Sequence, residues 1–203
     1  SKLRETMDKR AASFARDRSV VPNVFRIHLA PSDITRLEAW GMDEMVRQME
    51  EVATTHASEQ SYSFVGPVKV SFTPDAALTA PAIEIESSTQ RGGAAPAASA
   101  NATPGHPILD INGQRYLLTG PVTVIGRGSE ADIIVDDSGV SRRHLEVRLT
   151  QGHAIATDLG STNGTFVEGH RVDAATLLDG NTLTIGRTRI MFWDGSQGTE
   201  AGM

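Results

Sequence analysis

The spacing of apolar residues predicts a mixed helix and strand unit over residues 1–86. Apolar positions recur at helical spacing in three stretches and alternate in shorter ones. The helical stretches are 2–18, a segment holding Ile34, Leu37 and Trp40, and 42–60, where the apolar stripe is expected to face a core. Strands are predicted at 24–29, 62–72 (broken at Gly66-Pro67) and 82–86. The order is α-β-α-β-β, an α+β domain.

Short strands separated by turn signals dominate after residue 107. The predicted strands are 108–111, 116–119, 122–125, 132–135, 144–149, 154–159, 165–167, 182–185 and 188–193. Asn-Gly and Asp-Gly pairs between them favour tight hairpin turns. This pattern predicts an all-β sandwich over residues 108–194.

Residues 87–107 differ from both parts. The stretch 87–100 contains no large apolar side chain, so it cannot bury enough surface to offset the entropy of ordering. We expect 87–107 to be a flexible linker and 195–203 to be a disordered tail.

Composition narrows the function. The 203 residues carry a formal net charge of −6, which argues against nucleic acid or an anionic membrane as the main partner. There is no cysteine, so disulfides and thiolate metal sites are excluded, which suits a reducing cytoplasm. The six histidines lack metal-ligand spacing, and we predict neither a metal nor a cofactor. No apolar run approaches the roughly 18 residues of a membrane span. Since the chain starts without methionine, it is expected to be a fragment.

Five residues between positions 127 and 163 have side chains suited to binding an anion. They are Arg127, Ser141, Arg142, Thr162 and Asn163. Arginine presents a planar fork of donors to phosphate oxygens, and hydroxyl and amide groups add directional donors. A hydrolase built from Ser141, His144 and Asp158 lacks a nucleophile elbow, so we predict recognition of a phosphorylated side chain and not an enzyme.

These motifs resemble the forkhead-associated (FHA) domain, a phosphothreonine-binding module. The matching residues are Gly126-Arg127, Ser141-Arg142-Arg143-His144 and Gly160-Ser161-Thr162-Asn163-Gly164-Thr165, within about residues 106–194. The resemblance implies an eleven-stranded sandwich whose binding loops converge at one rim. A strict meander would instead put loops 127–131 and 136–143 at opposite ends of a strand.

The same resemblance implies a role for each matched residue. Arg127, Ser141 and Arg142 would contact the phosphate, with Thr162 close by, and Asn163 would hold the ligand backbone just after the phosphothreonine. Four residues would support the loops without touching ligand: Gly126, His144, Gly160 and Gly164. Arg143 is expected to be a solvated charge, and a small niche would accept the threonine methyl.

Residues 1–86 resemble the N-terminal domain of unknown function in actinobacterial two-domain FHA proteins of the FhaA type. In those proteins more helical sequence precedes the equivalent of Ser1, so the domain is expected to be truncated. The pairing implies an adaptor for Ser/Thr-kinase signalling linked to cell-wall regulation. Its partner would be a phosphothreonine-containing protein, either a kinase or its substrate. We expect it to be cytoplasmic, recruited to the inner membrane face by a partner and not inserted directly.

Two questions stay open from sequence. The alternative function is a phosphorylation-independent scaffold that acts mainly through the N-terminal domain. The second question concerns the ligand residue three positions after the phosphothreonine. Asp136 and Asp137 would repel an acid there if they face the groove, so we hypothesise a preference for apolar or basic residues; if both point to solvent, the site is indifferent.

Overall fold

The computed structural model describes residues 1–15, 18–97 and 101–196. It divides the chain into two compact units with the boundary between residues 90 and 91.

Unit 1 contains three helices and six strands among its described residues. The helices are α1 (Lys2–Arg10), α2 (Pro31–Trp40) and α3 (Met42–Gln60). The strands are β1 (Ala12–Ala15), β2 (Arg18–Val20), β3 (Val24–Leu29), β4 (Tyr62–Ser63), β5 (Lys69–Pro74) and β6 (Ile83–Ser88).

Two small sheets organise unit 1. Strand β3 lies at the centre of the order β5-β3-β6, parallel to β5 and antiparallel to β6. The second sheet has the order β1-β2-β4. Alternate residues of β3 (Phe25, Ile27 and Leu29) are buried, as are Leu3 and Met7 of α1. The predicted strand 24–29 and helix 42–60 match β3 and α3 in full.

The sequence prediction is wrong at the C-terminal end of the first helical segment of unit 1. The predicted helix 2–18 ends at Arg10, because Ala11 is extended and the chain continues into β1 and β2. Since β2 pairs with β4, a contact distant in sequence overrides the local helical spacing. Residues 16–17 of that prediction lie outside the described residues. The helix predicted to contain Ile34, Leu37 and Trp40 is α2, in which Ile34 and Leu37 are buried and Trp40 is 81% exposed.

Unit 2 is all β over its described residues. Its strands are β7 (Ala94–Pro96), β8 (Ile108–Ile111), β9 (Gln114–Leu118), β10 (Val122–Gly126), β11 (Ile133–Ile134), β12 (Leu145–Thr150), β13 (His153–Asp158), β14 (Thr165–Val167), β15 (His170–Val172), β16 (Ala174–Leu177), β17 (Thr182–Ile185) and β18 (Thr188–Trp193).

These strands form two sheets that enclose one apolar core. The five-stranded sheet has the order β11-β10-β12-β13-β16, and the seven-stranded sheet has the order β15-β14-β17-β18-β8-β9-β7. Both contribute fully buried side chains, among them Ile125 and Leu145 from the first and Leu109, Leu183 and Phe192 from the second. This is the predicted sandwich, with β7, β15 and β16 as strands that the sequence pattern missed.

The segment predicted to be a flexible linker is largely built into the two units where it is described. Ser87 and Ser88 pair with β3, and β7 pairs with β9 at the edge of the seven-stranded sheet. Ala94 and Ala95 are buried. A strand added to an existing sheet gains its backbone hydrogen bonds from that sheet and needs no large side chains of its own, and Pro96 is tolerated because the position is an edge. Residues 98–100 lie outside the described residues.

Two further findings concern the chain as described. None of its helices is both long enough and apolar enough to cross a membrane. No group of three or more His, Asp or Glu side chains within residues 1–15, 18–97 and 101–196 is arranged to hold a metal ion. Of the predicted tail, Gly195 donates its amide to Asp179, and residues 197–203 lie outside the described residues.

Candidate functional site

The three motif-bearing loops lie at one edge of the five-stranded sheet, the edge formed by the ends of its strands. Strands β10 and β11 are parallel, so Gly126 and Ile134 lie side by side at their ends. Strand β12 is antiparallel to β10 and begins at the same edge, with Leu145 opposite Ile125. Strand β13 ends there, with Asp158 opposite Leu145. The loops 127–132, 135–144 and 159–164 therefore all reach this edge, which we call the rim. The convergence follows from the parallel β10–β11 pair, which a strict meander lacks.

Arg127 is locked to the second loop through its backbone and through one side-chain nitrogen. Its amide donates to the carbonyl of Ser141 at 3.0 Å, and its Nε donates to the carbonyl of Val140 at 3.0 Å. The terminal nitrogens of the guanidinium have no hydrogen-bond partner among the described residues, and the residue is exposed. The side chain is thus oriented by the protein while its terminal donors remain available for a ligand.

Gly126 permits this close approach. A Cβ at this position would lie 2.1 Å from the carbonyl oxygen of Arg142 and 2.9 Å from that of Ser141. Both neighbours are backbone atoms, which cannot rotate out of the way. The absence of a side chain at position 126 therefore allows the end of β10 to lie directly against the backbone of Ser141 and Arg142.

His144 connects the second loop to the third. It is fully buried, and its Nδ1 accepts the amide of Ser141 at 3.0 Å. Its Nε2 therefore carries the proton and donates to the carbonyl of Gly164 at 2.9 Å. Both ring nitrogens are occupied by backbone groups, so neither is free to take the proton of the Ser141 hydroxyl. The ring fixes the path of two loops at once.

Asp158 organises the third loop from within. Its carboxylate accepts the amide of Ser161 at 2.8 Å, the hydroxyl of Ser161 at 2.6 Å and the hydroxyl of Thr165 at 2.7 Å. The Ser161 hydroxyl oxygen in turn accepts the amide of Gly164 at 2.9 Å. Partial burial acts to raise the pKa of Asp158, but the hydrogen bonds from Ser161 and Thr165 outweigh it and leave the pKa below its ordinary value.

One polar side chain from each of the second and third loops is hydrogen-bonded to the backbone of the other loop. The Ser141 hydroxyl oxygen accepts the amide of Thr162 at 3.1 Å. The carboxamide of Asn163 donates to the carbonyl of Gly139 at 2.8 Å. These bonds hold the Thr162 backbone and the Asn163 side chain at the rim, and both residues are exposed and accessible to a ligand.

The cations of the rim are not neutralised within the protein. Arg127, Arg142 and Arg143 are exposed, and no carboxylate of the described residues lies within 4.0 Å of their charged nitrogens. Fixed donors and unpaired guanidinium groups at one edge form a surface suited to an anion with several oxygens.

Asp137 anchors the second loop, a role that neither of the two alternatives left open from sequence included. Its carboxylate accepts the amides of Gly139 and Arg187 and the hydroxyl of Thr188, each at 2.8 Å. These hydrogen bonds hold the pKa of Asp137 below its ordinary value, with the largest effect from the Thr188 hydroxyl and smaller effects from the two amides. The carboxylate stays ionised, but its oxygens are held by these three donors and it supports the loop from within. Asp136 is exposed.

The two remaining glycines of the predicted set adopt positive φ angles. Gly160 has φ +74° and Gly164 has φ +86°, a region that favours glycine. Gly164 also accommodates the side chain of Arg171, which the sequence analysis did not single out. The anchoring roles of Asp137, Asp158 and Ser161 were not predicted, although short polar residues beside turn glycines are a signal for such roles. Arg171 carries no such signal, because its position depends on the register of β14 against β15.

Comparison with known proteins identifies both parts of the chain. The family model described as "FhaA, N-terminal domain" matches residues 1–86, and the model described as "FHA domain" matches residues 123–186. A curated relative, the oxoglutarate dehydrogenase inhibitor of Corynebacterium glutamicum, is 40% identical over 119 residues, which is 55% of this chain and 81% of that protein. The chain therefore belongs to the FHA-domain family, and its first unit carries the FhaA-type N-terminal domain.

Other relatives cover less of their own length or less of this chain. The glycogen accumulation regulator GarA of Mycolicibacterium smegmatis is 43% identical over 90 residues, 44% of this chain and 57% of that protein. The chain thus spans little more than half the length of this relative. A solved structure of the FhaA FHA domain in complex with the intracellular domain of Rv3910 is 38% identical, covers 42% of this chain and 98% of that chain, and has a TM-score of 0.41.

Proposed function

We propose that this protein is a non-enzymatic adaptor that binds phosphothreonine in a partner protein through the rim of unit 2. The proposal rests above all on one observation: the β10–β11 pair brings Arg127, Ser141, Arg142, Thr162 and Asn163 to one edge, where their loops are hydrogen-bonded together. Membership of the FHA-domain family supports it.

The chemistry of the rim favours a phosphate over a carboxylate. A phosphate monoester carries close to two negative charges at neutral pH and three acceptor oxygens. The rim offers two guanidinium groups, Arg127 and Arg142, together with the hydroxyl groups of Ser141 and Thr162. Such a set satisfies several oxygens at once, whereas a carboxylate would leave donors without partners.

We distinguish the residues that contact the ligand from those that support the binding loops. We assign the phosphate to Arg127, Ser141 and Arg142, with Thr162 beside it, and the ligand backbone after the phosphothreonine to Asn163. Gly126, His144, Gly160 and Gly164 shape the loops and are not assigned a ligand contact. Residues 1–86 form a separate domain to which we assign no ligand.

The setting that best fits these features is Ser/Thr-kinase signalling, with a phosphorylated kinase or kinase substrate as the partner. Two relatives carry names that describe regulators, one of glycogen accumulation and one an inhibitor of oxoglutarate dehydrogenase. We propose a regulatory binding role of this general kind, in the cytoplasm, with recruitment by the phosphorylated partner.

The test compares three forms of the same peptides on the intact chain. A library with fixed phosphothreonine and degenerate flanks selects a binding peptide, which is then titrated calorimetrically as its phosphothreonine, threonine and glutamate forms. We expect the phosphothreonine form to bind and the other two to bind at least tenfold more weakly, because each loses charge-assisted hydrogen bonds of about 1.5–3 kcal/mol. Equal binding of the threonine form would favour a phosphorylation-independent scaffold.

A further inference from the structure

Arg171 is a cation next to the rim that none of the three motifs contains. It lies in β15, directly opposite Phe166 of β14, and its side chain is exposed. The β14–β15 hairpin follows the third loop immediately, since β14 begins at Thr165. The position is therefore close to Asn163 and Gly164 although it is seven or eight residues away in sequence.

The guanidinium group of Arg171 rests against the backbone of Gly164. A Cβ on Gly164 would lie 2.8 Å from Arg171 Nε, 3.0 Å from Cζ and 3.2 Å from Nη2. The planar group thus occupies the space that a side chain at position 164 would fill. Because the residue before Gly164 is Asn163, the cation stands beside the part of the rim that we assign to the ligand backbone.

No internal acid accounts for this placement. No carboxylate of the described residues lies within 4.0 Å of the charged nitrogens of Arg171. Two acids flank it in sequence. Asp173 makes no ion pair with it within 4.0 Å, and Glu168 is engaged elsewhere, since its Oε1 accepts the amide of Thr182 at 2.8 Å and the carboxamide of Asn181 at 3.3 Å. Arg171 is thus positioned by packing and keeps its donors available.

We propose that Arg171 binds a second anionic group of the ligand, a carboxylate or phosphate on a residue that flanks the phosphothreonine. This inference rests on the proposed function, since it assumes that a phosphothreonine peptide occupies the rim. Arg127 and Arg142 serve the first phosphate, and Arg171 lies on the β14–β15 hairpin against the backbone of Gly164. The ligand class is therefore a phosphothreonine segment with an adjacent acidic or phosphorylated side chain.

This differs from the preference expected from sequence alone. That expectation counted Asp136 and Asp137 as repelling charges and found no cation in the loop before Ser141. The structure binds the Asp137 carboxylate internally and adds Arg171 from another hairpin. Arg171 therefore adds a cation against Gly164 that the expectation from sequence did not include.

The experiment is a charge scan on the intact protein. A selected phosphothreonine peptide with neutral flanks is compared with variants that carry glutamate or phosphoserine at each position from three before to four after the phosphothreonine. Each is titrated against the wild type, Arg171→Gln, Arg171→Lys and a matched control, Arg148→Gln. Arg148 is an exposed arginine opposite Val122, at the far end of β12 from the rim, so its replacement makes the same charge change at a distance.

We expect at least one position where glutamate strengthens wild-type binding about two- to fivefold, the range of an exposed ion pair, with a larger gain for phosphoserine. Arg171→Gln should abolish that gain yet bind the neutral peptide as the wild type does, and Arg171→Lys should keep part of it. Arg148→Gln should behave as wild type. If wild type and Arg171→Gln show the same preference at every position, this inference is wrong while the proposed function stands. If no phosphothreonine peptide binds the wild type, both are wrong.

Discussion

Both units contain a histidine in contact with an aspartate, and the two pairs are used differently. In unit 2, His144 is fully buried and bonds through both ring nitrogens to backbone groups of two loops, with the Asp158 carboxylate 3.8 Å from Nε2. In unit 1, His56 of α3 lies 2.8 Å from the carboxylate of Asp8 of α1, which also accepts the Tyr62 hydroxyl at 2.8 Å. The first pair links chain segments, whereas the second links side chains.

Because of this difference, removing a member of each pair is expected to have different consequences in the two units. The backbone groups held by His144 have no alternative partner if the ring is removed, and the loops they belong to carry the rim. The Asp8 side chain is 48% exposed, so water can replace either of its partners. A polar cluster that bonds to backbone therefore fixes a binding surface, while a cluster centred on a half-exposed carboxylate contributes modest local stability.

The largest effect is expected for His144→Leu. The substitution leaves the Ser141 amide and the Gly164 carbonyl without partners, at a cost of about 2–4 kcal/mol. Hydrogen exchange of the β12 and β13 amides in the intact chain should accelerate accordingly, and phosphopeptide binding should be lost. His56→Leu is the matched control, which should leave both exchange in unit 2 and peptide binding unchanged. Retained binding in His144→Leu would contradict the distinction between the two histidines.

Arg127→Ala comes next in size and affects binding more than folding. Removing its charge-assisted contacts should weaken phosphothreonine binding by about 1.5–3 kcal/mol, or roughly ten- to 150-fold. Calorimetric titration of the intact chain measures this. Arg148→Ala removes the same charge far from the rim and should have no effect. Arg127→Lys keeps the charge but not the planar fork, so an intermediate loss would show that geometry contributes as well. Unchanged affinity in Arg127→Ala would remove this residue from the site.

The residues of the rim were predictable from the sequence motifs, whereas the convergence of the loops was implied only by the family resemblance and by no local pattern. The three motifs singled out Arg127, Ser141 and Asn163, and the structure brings their loops to one edge; their contacts with ligand remain a prediction. What joins the loops is the parallel pairing of β10 with β11, which no local pattern encodes, because Ile133–Ile134 is a two-residue strand defined by its partner.

Outside the rim, elements with a strong periodic pattern of their own were predicted correctly, and elements that depend on a neighbouring strand were missed. Strand β3 and helix α3 carry strong periodic patterns and were predicted in full. Strands β7 and β15 contain mostly small or polar residues and exist because a neighbouring strand supplies their hydrogen bonds. The helix predicted over 2–18 ended early for the same reason, since β2 pairs with β4. Contacts distant in sequence therefore account for both the missed strands and the overlong helix.

Replacing phosphothreonine by phosphoserine should have a smaller effect than either substitution above. The family resemblance implies an apolar niche for the threonine methyl, and burial of one methyl group contributes on the order of 1 kcal/mol, or about fivefold in affinity. Matched peptides titrated against the intact chain test this. Equal affinities would indicate that the rim recognises the anion without reading the side chain that carries it.

The smallest effect concerns the cluster in unit 1 and its dependence on pH. Hydrogen bonds from His56 and Tyr62 hold the pKa of Asp8 below its ordinary value. A carboxylate whose pKa is lowered by folding stabilises the folded state above its unfolded pKa, and the contribution is lost as pH falls through the folded value. Tyr62→Phe removes one of the two donors. Because the Asp8 side chain is 48% exposed, the loss of folding free energy at pH 7 should be a few tenths of a kcal/mol, about the contribution of an exposed polar pair. Exchange of α1 amides in the intact chain should reveal this difference at neutral pH, and the difference between variant and wild type should shrink below about pH 4, where Asp8 begins to be protonated. Tyr116→Phe in unit 2 is the control, since its hydroxyl bonds to Gln114 and not to an acid. A difference of several kcal/mol, or one that does not change with pH, would show that the cluster behaves like the buried His144 network after all.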